Sequence, residues 1–181
     1  MKEFIYPEMM IHVPVCTSKE ANDILIISDN ADLLSVEAAR HSETNVKVIT
    51  CSLSEISALE DNAYDVIVSE MASDPALFSQ VNRVLRDDGQ FVTTHPSLDE
   101  VEENKNIMKM LGNYFKVIMP YNLGNGSTAL LSSKEYHPTA DINLHRADML
   151  DGLSYYNCDI HPAAFAMGNY IRKAYLGSIK N

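Results

Sequence analysis

The sequence predicts an α/β protein built on a mainly parallel sheet. Short apolar runs alternate with helical patterns through the first 111 residues, which is the order of β-α-β units. Runs such as Ile24-Leu25-Ile26-Ile27 are apolar throughout, as strands covered on both faces are. All seven glycines lie at Gly89 or later. The first strand-to-helix turn therefore has no G-x-G-x-x-G and no P-loop, and the dinucleotide-oxidoreductase and NTPase readings lose their main support.

The elements follow in order. Ile24–Ile27 is the first strand. Polar Ser28-Asp29-Asn30-Ala31-Asp32 follows, and Asn30 or Asp32 is expected to cap a helix reaching about Arg40. Val46–Cys51 is the second strand, Leu53–Leu59 a short helix and Tyr64–Ser69 the third strand. Pro75 opens the clearest helix, where Leu77, Phe78, Val81, Val84 and Leu85 form one apolar face. Asp88-Gly89 is read as a turn and Phe91-Val92-Thr93 as the fourth strand. Leu98–Leu111 reads as a helix with an acidic start, stopped at Gly112. Phe115–Met119 and Thr128–Ser132 read as a hairpin around Gly124-Asn125-Gly126. A last helix is expected over about Ala163–Leu176.

Right-handed crossovers place the Ile24–Ile27 strand centrally, with Val46–Cys51 on one side and Tyr64–Ser69 on the other. Chain order reverses there. A ligand crevice is expected at the strand C-termini, lined by Ser28–Asp32, Cys51–Ser52 and Ser69–Asp74.

The 181 residues suit one domain spanning 1–181 with a substantial core. The formal net charge of −11 argues against a nucleic-acid partner, whose phosphates call for Lys and Arg. Cys16, Cys51 and Cys158 are odd in number and widely spaced, which argues against a disulfide framework or a cysteine zinc site. The N-terminus does not read as a signal peptide, and no apolar run reaches membrane-spanning length. The expected setting is the cytoplasm, with no membrane partner.

Three segments together resemble the spermidine synthase (aminopropyltransferase) family. Tyr6-Pro7-Glu8-Met9-Met10-Ile11-His12-Val13-Pro14 is similar to its Tyr-His/Gln-Glu-Met-x-x-His-x-Pro motif. Tyr64-Asp65-Val66-Ile67-Val68-Ser69-Glu70, with Ser73-Asp74-Pro75, is similar to Phe-Asp-Val-Ile-Ile-x-Asp-x-x-Asp-Pro. Tyr155-Tyr156-Asn157, with Ile160-His161 and Ala163-Ala164-Phe165, is similar to its C-terminal Tyr-Tyr-Asn-x-x-x-His-x-Ala-Ala-Phe. The third segment is the most specific, and the three keep the family's order.

The resemblance implies a Rossmann-like fold of the methyltransferase type: a mostly parallel sheet, helices on both faces and a C-terminal antiparallel hairpin. It also implies transfer of an aminopropyl group from decarboxylated S-adenosylmethionine, as co-substrate, to putrescine. No metal and no prosthetic group is required, and a homodimer is the default assembly. A carboxylate must take a proton from the attacking amine and hold it in line. Glu70 or Asp74 is the candidate base, although Asp74 before Pro75 also suits a helix cap. Tyr6 and Tyr155 or Tyr156 match tyrosines that line the diamine pocket. His12 and His161 read as structural hydrogen bonders.

Ser28, Asp29 and Ser52 stand where the resemblance places the nucleoside. There the chain departs from the family. Ser28-Asp29-Asn30-Ala31-Asp32 replaces a glycine-rich turn, Ser52 stands in place of a carboxylate, and one strand–helix unit is missing before Tyr64. The family's small N-terminal β domain has no counterpart before Tyr6. Two other readings stay open: a non-catalytic homologue that binds polyamine, nucleoside or another protein, and a methyltransferase using ordinary S-adenosylmethionine.

Overall fold

Six strands and eight helices are laid out over residues 2–181, the span described by the computed structural model. β1 (Asp23–Ile27), β2 (Asn45–Ile49), β3 (Tyr64–Ser69) and β4 (Leu85–Thr94) run parallel. β5 (Val117–Asn122) and β6 (Thr128–Ser133) form the antiparallel hairpin, and β6 pairs with β4. The order across the sheet is β2-β1-β3-β4-β6-β5. The chain therefore reverses direction at β1, between β2 and β3, as the crossover rule requires. β1 and β3 are buried along almost their whole length, in line with their unbroken apolar runs.

Side chains on the two sheet faces enter separate cores. Ile24, Ile26, Val66 and Val68 pack with α1 (Ile5–Thr17) and α2 (Asp32–Ala38). Leu25, Ile27, Ile67 and Phe91 pack with α3 (Leu53–Ser57), α4 (Pro75–Val84) and α5 (Val101–Leu111). At the N-terminal ends of the strands, Asp65 accepts hydrogen bonds from the backbone N–H groups of Asn22 and Asp23 at 2.8 and 2.9 Å. Arg86 bridges Asp65 and Asp23 at 2.7 and 2.9 Å, which ties β1, β3 and β4 together.

β2 is the outer strand, and its other edge carries no neighbour. Val46 and Val48 on it, and Leu33 and Val36 on α2, are exposed.

Several elements differ from the sequence expectation. α1 carries the Tyr6–Pro14 segment and was not anticipated. Every residue in it except Tyr6 is buried, so it has no polar face to give a helical period. Pro7 is tolerated in the first turn, where the backbone N–H groups lack intrahelical acceptors. α2 is capped by neither Asn30 nor Asp32. Its N-cap is Ala31 with no side-chain cap, and it stops at Ala38.

α4 ends at Val84, and Leu85 already pairs with Tyr64 in β4. The Asp88-Gly89 turn lies within an irregular stretch of β4 between Leu85 and Gln90. A Cβ at Gly89 would sit 2.5 Å from Leu85 Cγ, so only glycine passes there. α5 starts at Val101 rather than Leu98. Asn104 Nδ2 donates to the carbonyls of Pro96, Ser97 and Glu100, which holds that stretch in a loop.

The expected C-terminal helix is two short ones, α7 (Ile160–Ala164) and α8 (Asn169–Ala174). Asn122 Nδ2 donates to Ala164 O and Ala166 O, satisfying carbonyls that a continuous helix would have used internally. α6 (Leu144–Asp148) completes the set. Among the described residues, no helix is long and apolar enough to cross a membrane.

Candidate active site

β1, β2 and β3 end side by side, so the residues just beyond them meet above one edge of the sheet. Glu70 follows β3, and its backbone N–H donates to Ile27 O at 2.9 Å. Tyr6, in the first turn of α1, donates its hydroxyl to Glu70 Oε1 at 2.6 Å. Ser28, directly after β1, donates its hydroxyl to Glu70 Oε2. Both carboxylate oxygens thus have a protein donor, from residues 64 and 42 positions away. Burial pushes the Tyr6 phenol well above its usual range, and the Glu70 hydrogen bond and charge add to this. Tyr6 therefore stays protonated and remains a donor.

The turn after β1 is fastened by side chains rather than opened by glycines. Ser28 Oγ accepts from Asn30 N at 3.0 Å, and Asp29 Oδ1 accepts from Cys51 N at 2.9 Å. The second bond ties the end of β1 to the end of β2. Ser52 is the N-cap of α3 without a capping bond, and its hydroxyl lies 2.8 Å from that of Ser54. Ser28, Asp29, Ser52, Tyr6 and Glu70 thus share the strand ends.

Asp74 lies on the same loop and is exposed. Its Oδ1 accepts from Ala76 N at 2.7 Å as the N-cap of α4, ahead of Pro75.

The two C-terminal tyrosines have different surroundings. Tyr156 is buried, with its hydroxyl 2.7 Å from His161 Nδ1. His161 Nε2 faces Thr17 Oγ1 at 3.4 Å, and Thr17 donates to Val13 O at 2.8 Å. That arrangement makes Tyr156 the donor to a neutral, Nε2-protonated His161. Tyr155 is half-buried and lies over Gly124 in the β5–β6 turn.

Gly124 has φ +84°, and a Cβ there would sit 2.0 Å from Tyr155 Oη. Gly124→Ala is therefore expected to swing the Tyr155 ring aside and to cost about 1–2 kcal/mol for the left-handed backbone. Near-ultraviolet circular dichroism and the urea midpoint check this. A wild-type spectrum and midpoint would show that the ring has room to give.

Sequence reasoning passed over Glu8. It is only 1% exposed, and its carboxylate accepts from the backbone N–H groups of Ser154, Tyr155 and Tyr156 at 2.9, 2.8 and 2.8 Å. Its presence in the Tyr6-Pro7-Glu8 motif was the available signal. A carboxylate with three amide donors fixes the Tyr155-Tyr156 backbone against the start of α1.

Buried histidines set an acid limit on stability. Burial lowers the His161 pKa to about 4. Burial, helped by neighbouring His12 and Arg146, lowers that of His41 to about 3. Unfolded imidazoles protonate near pH ~6.5. This stability is complete above that pH and is lost as pH falls through the window down to the folded values, by about 1.4 kcal/mol per pH unit for each histidine at most. Urea midpoints at pH 7, 6 and 5 are expected to fall in that order, and a flat series would contradict the buried neutral assignment.

An open sheet of this order with polar groups at its strand ends is the architecture of the methyltransferase-like α/β transferases. Solved structures agree. The chain superposes on a spermidine synthase in complex with the transition-state analogue AdoDATO with TM-score 0.84 at 18% identity, over 95% of this chain and 75% of that one. For spermidine synthase from Thermotoga maritima the TM-score is 0.82 at 20% identity, covering 95% and 74%.

In sequence, the chain is 27% identical over 216 residues to the polyamine aminopropyltransferase of Helicobacter pylori (strain G27), covering 99% of this chain and 80% of that protein. It is 26% identical to that of Clostridium acetobutylicum, covering 93% and 77%. No protein-family model matches the chain. In sequence and fold together, the chain is a divergent member of the spermidine-synthase type of aminopropyltransferase. The 216 aligned positions exceed its 181 residues, so these relatives carry stretches with no counterpart here.

Proposed function

We propose that the protein transfers an aminopropyl group from decarboxylated S-adenosylmethionine to putrescine, with Glu70 as the acceptor-side carboxylate. The observation that carries this reading is the Tyr6–Glu70–Ser28 cluster at the end of β3. In the reaction, an amine nitrogen attacks the carbon beside the sulfonium. The C–N bond forms as the C–S bond breaks, and methylthioadenosine leaves as a neutral thioether. The attacking nitrogen must shed a proton, and a fixed carboxylate in line with it is the group for that task. Tyr6 and Ser28 hold Glu70 in one orientation, and Tyr155 offers a ring and a hydroxyl beside the methylene chain. Asp74 supplies a second carboxylate on the same loop for an ammonium group.

A second reading has its own support. Both Glu70 oxygens are already engaged, and the Ser28–Asp32 turn is fastened by its own side chains, which favours a protein that binds a polyamine or nucleoside without turnover. Incubation of the purified protein with the donor and putrescine is expected to release methylthioadenosine, read by liquid chromatography. No product above that of the Glu70→Gln/Asp74→Asn double variant would overturn the transferase reading. Calorimetric binding of methylthioadenosine or a polyamine by the same inactive protein would then support the binding reading.

A further inference from the structure

The opposite edge of the sheet, where the strands begin, carries a second polar cluster. A cavity of about 380 Å³ lies there between the α2–β2 loop and α6. Its walls include Arg40, His41, Ser42, His145 and Arg146, with Glu43 as the single carboxylate. In a chain with formal net charge −11, this convergence of two arginines and two histidines reverses the prevailing sign.

Both guanidinium groups are fixed by the protein. Arg40 Nε pairs with Glu37 at 2.7 Å, and Arg40 Nη1 donates to Asp151 O at 2.9 Å. Arg146 donates to Val15 O at 2.7 Å, to Ser18 O, and to Lys19 O at 3.0 Å, closing the end of α1. Arg40 Nη2 and Arg146 Nε have no acceptor among the described residues, so donors held in position are left over.

A buried proton array sets the polarity of His41. Burial opposes ionisation of Glu37, but hydrogen bonds from His12 and Arg40 outweigh it and hold the carboxyl below its usual range. Glu37 is thus an acceptor, and His12 Nε2–H donates to it at 3.0 Å. Neutral His12 then has a bare Nδ1, which accepts from His41 Nε2–H at 3.0 Å. This fixes the His41 tautomer and leaves its Nδ1 as a bare acceptor. That nitrogen has no protein partner and is not among the sealed, unsatisfied atoms.

The cavity therefore asks for one group that both donates and carries negative charge. An ionised carboxylate or sulfate offers no donor. A singly protonated phosphate offers a P–OH and anionic oxygens on one centre. We infer that this cavity binds such a phosphate group, free or as the head of a small phosphomonoester, with P–OH donating to His41 Nδ1 and the oxygens accepting from Arg40 and Arg146. The volume exceeds that of an inorganic ion, and Met149 and Leu150 give an apolar wall for an ester body.

Calorimetry on the full chain near pH 7, with inorganic phosphate, glycerol 3-phosphate and sulfate, tests this. One saturable phosphate site is expected, with sulfate about tenfold weaker or more for want of the donor. Tighter binding of glycerol 3-phosphate than of phosphate identifies the ester as the fitting source; the reverse identifies the free ion. Ser42→Glu, which adds charge to the rim, is expected to abolish binding at an unchanged thermal midpoint. His145→Ala, at an exposed position, is the second variant and is expected to weaken binding should Ser42→Glu fail to fold. Absence of saturable heat with either phosphate, sulfate binding as tightly, or folded Ser42→Glu binding normally would each overturn the assignment.

Discussion

Glu70→Gln is expected to lower kcat by about 100-fold or more, the range that a positioned proton acceptor contributes. The substitution is nearly isosteric. One amide oxygen can still accept from Tyr6, and the Ser28 hydroxyl can turn to accept from the new amide N–H. The thermal midpoint should therefore stay close to wild type while turnover falls, which separates chemistry from folding. Asp74→Asn is the companion, because Asn caps a helix nearly as well as Asp and preserves the bond to Ala76 N. If Asp74→Asn removed turnover and Glu70→Gln kept it, the base would have to be Asp74.

Glu8→Ala is expected to be the most damaging single change to stability, at about 3–5 kcal/mol. It strips three amide donors of one charged acceptor at a buried position, and each unsatisfied donor costs about 1–3 kcal/mol, less where water can reach. Glu8→Gln should fall between, since one oxygen can still accept while the amide N–H groups face other donors. A urea titration reads both values. A Glu8→Ala midpoint within error of wild type would mean that the Ser154–Tyr156 backbone has found other acceptors.

The architecture was readable where burial leaves a one-dimensional trace. β1 and β3 show as unbroken apolar runs, α4 as an amphipathic stripe behind Asp74-Pro75, and the β5–β6 hairpin as two apolar segments around Gly124-Asn125-Gly126. α1 left no such trace, because a helix enclosed on all sides has no polar face to mark its period. The split between α7 and α8 depends on Asn122, some 40 residues upstream, taking the carbonyls between them.

The candidate site followed a similar division. Glu70, Asp74 and Tyr6 were picked out through a family resemblance in their motifs. That Glu70 has Ser28 as a partner, and that Glu8 clamps residues 154–156, are contacts between distant segments with no signature in local spacing. Ser28 was read as a nucleoside contact, and its hydroxyl donates to the carboxylate instead.

The uncovered side of β2 has a consequence for how the protein behaves at high concentration. A strand with free backbone donors and acceptors is a template on which further strands can add, and it leads towards sheet-to-sheet aggregation. Two features oppose that here: β2 has only five residues, and Lys47 stands at its centre between Val46 and Val48. A charged ammonium in a short edge is how natural sheets keep such a place vacant. Lys47 thus guards the fold's solubility, in a protein whose relatives carry additional chain.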